Sequence, residues 1–209
     1  MSVDPNEEDA MTAALDRLDD LHMNRSDWTV DDLVSLPSDL WYELIDGRLI
    51  LPSPVPFHQL LGVELVLALR PGCPKGYTPV PDLSLKVDRF SEPRPDVVVV
   101  AKSEYKRSPV PVDKALLVVE IISPDSRFRD MHSKTKIYAA AGLEHYWVID
   151  PDFKHGLELT EFRIGSNGEY EQVISTSEVF ETDVPYPVKI DLPVLTALRD
   201  EDLAAWEES

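Results

Sequence analysis

The chain has 209 residues, enough to bury a real core in one domain, and no apolar run reaches the roughly 20 residues of a membrane-spanning helix. Its one cysteine, Cys73, excludes an internal disulfide framework and a multi-cysteine zinc site. A net charge of −19 opposes long-range attraction to nucleic-acid phosphates.

That charge is unevenly spread. The first forty residues hold eleven acids and two bases, and residues 171–209 hold ten acids and two bases. Residues 94–140 carry nine Lys/Arg against six acids. Acidic ends around a mildly basic middle read first as a solvated surface that keeps the protein soluble.

In chain order, Met1 to Arg25 reads as an acidic leader with a weak amphipathic turn near Leu15, Leu18 and Leu21. It lacks the basic-then-apolar layout of a secretory signal, and a cytoplasmic location is the default expectation. Thr29, three residues before Asp32, has a helix-capping pattern that ends at Pro37. Tyr42–Ile45 and Arg48–Leu51 flank Asp46-Gly47, the dipeptide favoured in a two-residue hairpin turn. His58 to Leu69 places Leu61, Leu65, Ala68 and Leu69 on one helical face, and Pro71-Gly72 stops it.

Leu83, Leu85 and Val87 alternate with polar residues, as in a strand with one wet face. Val97–Val100 is a short apolar strand, and Leu116–Ile122 is apolar on both faces, as central strands under helices are. A helix over Ser126–Ala141 closes at Gly142, where a left-handed cap is usual. His145–Asp150 is a further buried strand. Leu157–Ile164 and Glu169–Ile174 form a hairpin about Asn167-Gly168. The tail adds a strand at Val188–Ile190 and a helix from Leu195 to Trp206. This order predicts an α/β (α+β) fold, a mixed central β-sheet flanked by helices. One domain is expected over residues 26–209, with its core at 28–165 and an extension at 166–209.

Glu120 is the residue that does not belong to its surroundings, a carboxylate inside an aliphatic strand. Burying a lone carboxylate costs several kcal/mol, so a salt bridge, a hydrogen-bond network or a metal ion must compensate. Asp96 opens the strand Val97–Val100 after Pro95. If the two strands are neighbours, the carboxylates converge, and Mg²⁺, or Mn²⁺ in its place, suits such a pair. In the following helix, Asp130, Lys134, Tyr138 and Ala141 fall on one stripe. Two readings of Lys134 stand side by side: a pair with Asp130 on a solvated face, or an ammonium that reaches the carboxylates.

These residues resemble the Uma2 family of restriction-endonuclease-like proteins, within the PD-(D/E)xK nuclease superfamily. The resemblance is carried by Tyr42-Glu43-Leu44 with Asp46-Gly47, Ser53-Pro54 with His58, and Arg94-Pro95-Asp96-Val97. It continues through Val119-Glu120-Ile121 with Ser123-Pro124, then Asp130, Lys134 and Tyr138, and Tyr146 to Asp150. It implies a restriction-endonuclease-like fold with metal on Asp96 and Glu120, and Glu43 as an added acid. The superfamily's usual Lys, two residues after the Glu, is here Ile122, and the resemblance offers Lys134 instead. The implied activity is metal-dependent hydrolysis of phosphodiester bonds, DNA rather than RNA, with pairing into a homodimer. His58 matches a family position without an assigned role, and a lone His at a helix start more often caps or packs.

Two rival readings come from other classes. A nuclease-derived fold kept as a binding or scaffold module accords with the charge of −19. A plain α/β domain would pair Glu120 with an Arg such as Arg94 or Arg127.

Overall fold

The structure, a computed structural model, describes residues 25–37, 40–123 and 133–208. Its strands in chain order are β1 (Glu43–Ile45), β2 (Arg48–Ile50), β3 (Tyr77–Pro81), β4 (Leu85–Lys86), β5 (Val97–Ala101) and β6 (Val110–Pro111). They continue with β7 (Ala115–Ile121), β8 (His145–Asp150), β9 (Glu158–Ile164), β10 (Tyr170–Thr176), β11 (Val179–Thr182) and β12 (Val188–Asp191). The α-helices are α1 (Pro56–Leu69), α2 (Lys134–Ala140) and α3 (Leu192–Glu207), with a 3₁₀ turn at Asp32–Ser35.

The aliphatic runs sit at the centre, as their two apolar faces require. Six strands form one sheet in the order β10-β9-β8-β7-β5-β3. Only β7 and β8 run parallel, joined by a crossover that contains α2, and the other pairs are antiparallel. One face carries Val97, Val99, Leu117, Val119, Ile121, Trp147 and Ile149 against Leu61, Leu65 and Leu69 of α1 and Leu192 and Leu195 of α3. Each such buried side chain contributes about 1.5–3 kcal/mol. The opposite face carries Val98, Val118, Tyr146 and Val148 against Tyr138 of α2. Strand alternation therefore turns Glu120 toward α2. This is the expected mixed α+β architecture.

Local signals map onto local structure. Asp46 and Gly47 take φ of 48° and 74°, the positive values a type I′ turn needs, between β1 and β2. Thr29 donates from its N–H and Oγ1 to Asp32 Oδ2 at 2.8 and 2.7 Å, but the turn it opens is 3₁₀ and one turn long. Gly142, at φ 77°, ends α2. Gly168, at φ 79°, lies in the β9–β10 turn, where Asn167 Oδ1 accepts from the Glu169 N–H.

The differences have physical reasons. The alternating stretch Leu83–Val87 shrinks to the two residues of β4, which pair in parallel with β6 outside the main sheet. The sheet edge is β3, unread in the sequence because it contains Pro79 and Pro81. Proline is tolerated on an edge strand, where its missing N–H breaks no inner ladder. The tail helix α3 starts at Leu192, three residues before its expected start. Asp191 caps it by accepting from the Val194 N–H, and Pro193 sits in the first turn, where no N–H is needed. The expected leader up to residue 24 and the first half of the helix after Glu120, including Arg127 and Asp130, lie outside the described residues.

A buried charge cluster as candidate active site

The adjacency on which the site depends is present: β5 and β7 are neighbours, with Val97 opposite Val119. Asp96 immediately precedes Val97 of β5, and Glu120 immediately follows Val119 on β7. Beyond that pair the Asp96 side chain, and not a backbone carbonyl, serves an N–H of β7. Its Oδ2 accepts from the Ile121 N–H at 2.6 Å. The Asp96 carbonyl accepts from the Asp82 N–H at 3.0 Å, which holds the same residue to the end of β3.

Glu120 is 1% exposed, and its compensation is ionic. Lys134 Nζ, itself buried, donates to Glu120 Oε2 and to Glu43 Oε1, each at 2.9 Å. Tyr138 donates its hydroxyl to Glu120 Oε1 at 3.1 Å. Burial, and then the negative charge of Glu120, push the Tyr138 hydroxyl well above its usual range, so it serves as a donor. Glu43 Oε1 also accepts from the Arg94 N–H at 3.1 Å, which ties β1 to the loop before β5. Four residues from three parts of the chain thus make one dry ionic unit.

The cluster has an outer storey. His58, in the first turn of α1, places Nε2 at 3.0 Å from the Ile121 carbonyl oxygen and 3.7 Å from Asp96 Oδ1. The His58 and Asp96 side chains are 14% and 23% exposed, against 4% and 2% for Lys134 and Glu120. Solvent therefore meets Asp96 and His58 first, with the ammonium and the second carboxylate behind.

Of the residues singled out in the sequence, Glu43, Glu120, Lys134 and Tyr138 meet in the inner unit, and Asp96 and His58 meet at Ile121. Asp130 lies outside the described residues, so its pairing with Lys134 does too. Arg94 is not the cationic partner of Glu120. Its guanidinium engages Asp82, reaching Oδ2 at 3.3 Å, and lies over Trp41 at 5.0 Å. Three contributors escaped the sequence reading: Asp82, the backbone of Ile121, and Glu92. Glu92 is 3% exposed and bridged to Leu44, and burial raises its carboxyl above the usual range. The only sequence hint of Glu92 is an acid in the run Ser91-Glu92-Pro93, which reads as a turn.

A divalent cation is implied by the resemblance, and its fit rests on the donor set. Among the described residues no group of three or more His, Cys, Asp or Glu side chains is spaced to hold a metal. The donors at the mouth are one carboxylate, one backbone carbonyl and one imidazole, with a second carboxylate behind. That set fits a hard ion which keeps several waters and takes one or two carboxylates.

With this geometry in hand, comparison with known proteins is direct. The model of the Uma2 family, described as "Putative restriction endonuclease", matches residues 30–194. The chain belongs to the Uma2 family. The matched span contains all seven residues singled out above and runs through β12 into the start of α3. A crystal structure from Anabaena variabilis ATCC 29413, described as "a putative nuclease belonging to DUF820", aligns with a TM-score of 0.62 at 19% identity. It covers 81% of this chain and 97% of that one, and at such identity the likeness establishes the fold. No curated protein matches the chain. Among the described residues no helix is long and apolar enough to cross a membrane.

Proposed function

We propose that this Uma2 protein is a metal-dependent endonuclease that hydrolyses phosphodiester bonds, with DNA as its substrate. The observation that carries the reading is the Glu43–Lys134–Glu120 unit, whose β7 member Glu120 is followed by Ile121, the residue that holds the Asp96 carboxylate through its N–H. Buried ion pairs are a poor means of stabilising a fold, since apolar replacements of similar volume often do as well or better. A cationic group with two carboxylates behind a partly open third carboxylate is instead suited to phosphate chemistry.

Asp96 and Glu120 are the residues that would hold Mg²⁺ or Mn²⁺. Lys134 and Tyr138 take two of the roughly four acceptor sites of the Glu120 carboxylate. When bound, the ion supplies Lewis-acid polarisation of a phosphoryl oxygen and eases deprotonation of water. Lys134 orients the attacking water and offsets charge that develops on the phosphoryl group. Glu43 anchors Lys134, and Tyr138 fixes the rotamer of Glu120. The Ile121 N–H holds Asp96 in place.

Incubation of plasmid and single-stranded DNA with the protein and Mg²⁺ or Mn²⁺ tests this reading. Cleavage by the wild type that is lost in Asp96→Ala and Glu120→Gln is the expected result. An uncleaved plasmid under every condition, or equal cleavage by Asp96→Ala, overturns it. The net charge of −19 favours a second reading, a catalytically silent binding module. Under that reading metal affinity is unchanged in Glu120→Gln and no DNA is cut.

A further inference from the structure

A net charge of −19 is hard to reconcile with a grip on duplex DNA, which usually rests on many phosphate contacts from basic surface. A single strand offers a second handle. Its bases are unpaired, and stacking them on aromatic side chains asks for no basic surface.

Trp41 is 52% exposed, whereas Trp28 and Trp147 are no more than 2% exposed. Its neighbours Leu40 and Tyr42 pack against the cluster of Trp28, Leu33, Leu36 and Leu44, in which Trp41 takes no part. The ring is nevertheless held. The Arg94 guanidinium lies over it, 5.0 Å from its centroid. That guanidinium is anchored in turn, with Nη2 3.3 Å from Asp82 Oδ2, and the Arg94 N–H donates to Glu43 Oε1. One face of the ring is thus backed by a fixed cation, and much of the rest meets solvent.

Its place in the fold separates this tryptophan from a stray surface residue. Trp41 comes two residues before Glu43, and Arg94 two residues before Asp96. Two residues span at most about 7 Å, so both partners of the stack are tied by short tethers to carboxylates of the charge cluster. A strand with a phosphate at Asp96 can therefore lay a nearby base on the ring.

We propose that the open face of Trp41 stacks on an unpaired nucleobase a few nucleotides from the phosphate at Asp96, which makes single-stranded DNA the preferred substrate. The assignment rests on the nuclease reading above for the place of that phosphate, and it deepens that reading by naming the form of the substrate. Arg94 is a positioning residue that holds the ring. The contact is made to the π-face that every base has, so it brings little sequence preference. A negatively supercoiled plasmid, which opens locally, is cut more slowly than a single strand.

Fluorescence measurements on the full-length protein test this, with Ca²⁺ in place of Mg²⁺ and a mixed-sequence oligonucleotide offered as a single strand or annealed to its complement. The single strand is expected to bind more tightly than the duplex and to quench tryptophan emission of the wild type, a readout that needs no variant to fold. Trp41→Ala is expected to weaken single-strand binding about 5- to 150-fold and to leave duplex binding unchanged. Trp41→Phe, which keeps a ring, is expected to restore most of the affinity. An abasic strand with the same phosphates is expected to bind wild type and Trp41→Ala equally. Equal affinity for strand and duplex, an unquenched wild type, or full single-strand affinity in Trp41→Ala overturns the proposal. A strand bound through Trp41 yet uncut with Mg²⁺ or Mn²⁺ leaves the stacking contact standing and removes the nuclease reading. A strand cut by the wild type but bound equally by Trp41→Ala removes the stacking contact alone.

Discussion

Replacing Lys134 with methionine isolates the ionic unit, because methionine keeps the stem and deletes the ammonium. The ammonium touches two carboxylate oxygens at 2.9 Å each, between side chains no more than 7% exposed. With an effective dielectric constant of about 20, each contact amounts to about 6 kcal/mol of attraction. Most of that is offset by the several kcal/mol spent in desolvating each ion. Deleting one partner removes the attraction while Glu43 and Glu120 stay buried, and the usual loss is about 3–5 kcal/mol. For a domain of this size that corresponds to a melting temperature lower by about 6–20 °C. Chemical denaturation at neutral pH gives the free energy, and a thermal scan gives the shift. Acidification is expected to shrink the loss, because the stranded carboxylates can then take up protons. The triple variant Glu43→Gln, Glu120→Gln, Lys134→Met removes all three charges of the unit and is expected to recover part of the loss. If the single and triple variants are equally destabilised at every pH, packing rather than charge accounts for Lys134, and the account of the cluster is wrong.

Two further outcomes follow from features away from the cluster. A Cβ at Gly72 would stand 1.9 Å from the backbone oxygen of Pro187, whereas at Gly76 it would meet nothing within 4 Å. Gly72→Ala is expected to lose about 1–3 kcal/mol and Gly76→Ala to stay within about 0.5 kcal/mol of wild type in denaturant titrations, and equal effects would refute the close approach of the two segments. Burial holds the His145 imidazole below its ordinary value of 6.5, so on acidification the unfolded chain binds the proton first and stability falls with pH through that value. His145→Gln is expected to flatten the stability profile between about pH 7 and about pH 5, and an unchanged slope would show that another group controls it.

Much of the frame was legible in the sequence because its causes are local. The φ values of Asp46 and Gly47 follow from which residues tolerate a left-handed backbone, and the central position of β7 follows from aliphatic residues on both faces. Glu120 stood out for the same reason in reverse, since a carboxylate there demands a partner wherever the chain goes. The partner's identity was not local. Lys134 and Glu43 are 91 residues apart in sequence, and on spacing alone a bridge to Asp130 was an equal alternative for Lys134. Packing of the α2 layer against β7 supplied the partners that spacing could not name, one ammonium between two buried carboxylates.

Pairing also hid the edge of the sheet. Pro79 and Pro81 argue against a strand when each residue is weighed singly, yet they are harmless in β3 because among the described residues no strand pairs with its outer side. The short strand β4 reversed the error, since its alternating pattern promised more than two paired residues. Strand registers, the reach of Asp96 to the Ile121 N–H, and the approach of His58 to the Ile121 carbonyl come from contacts between distant segments. Their free energy exists only when the whole sheet is assembled. The sequence by itself determined the turns, the central strands and the anomalous acid; tertiary structure decided which groups that acid would meet.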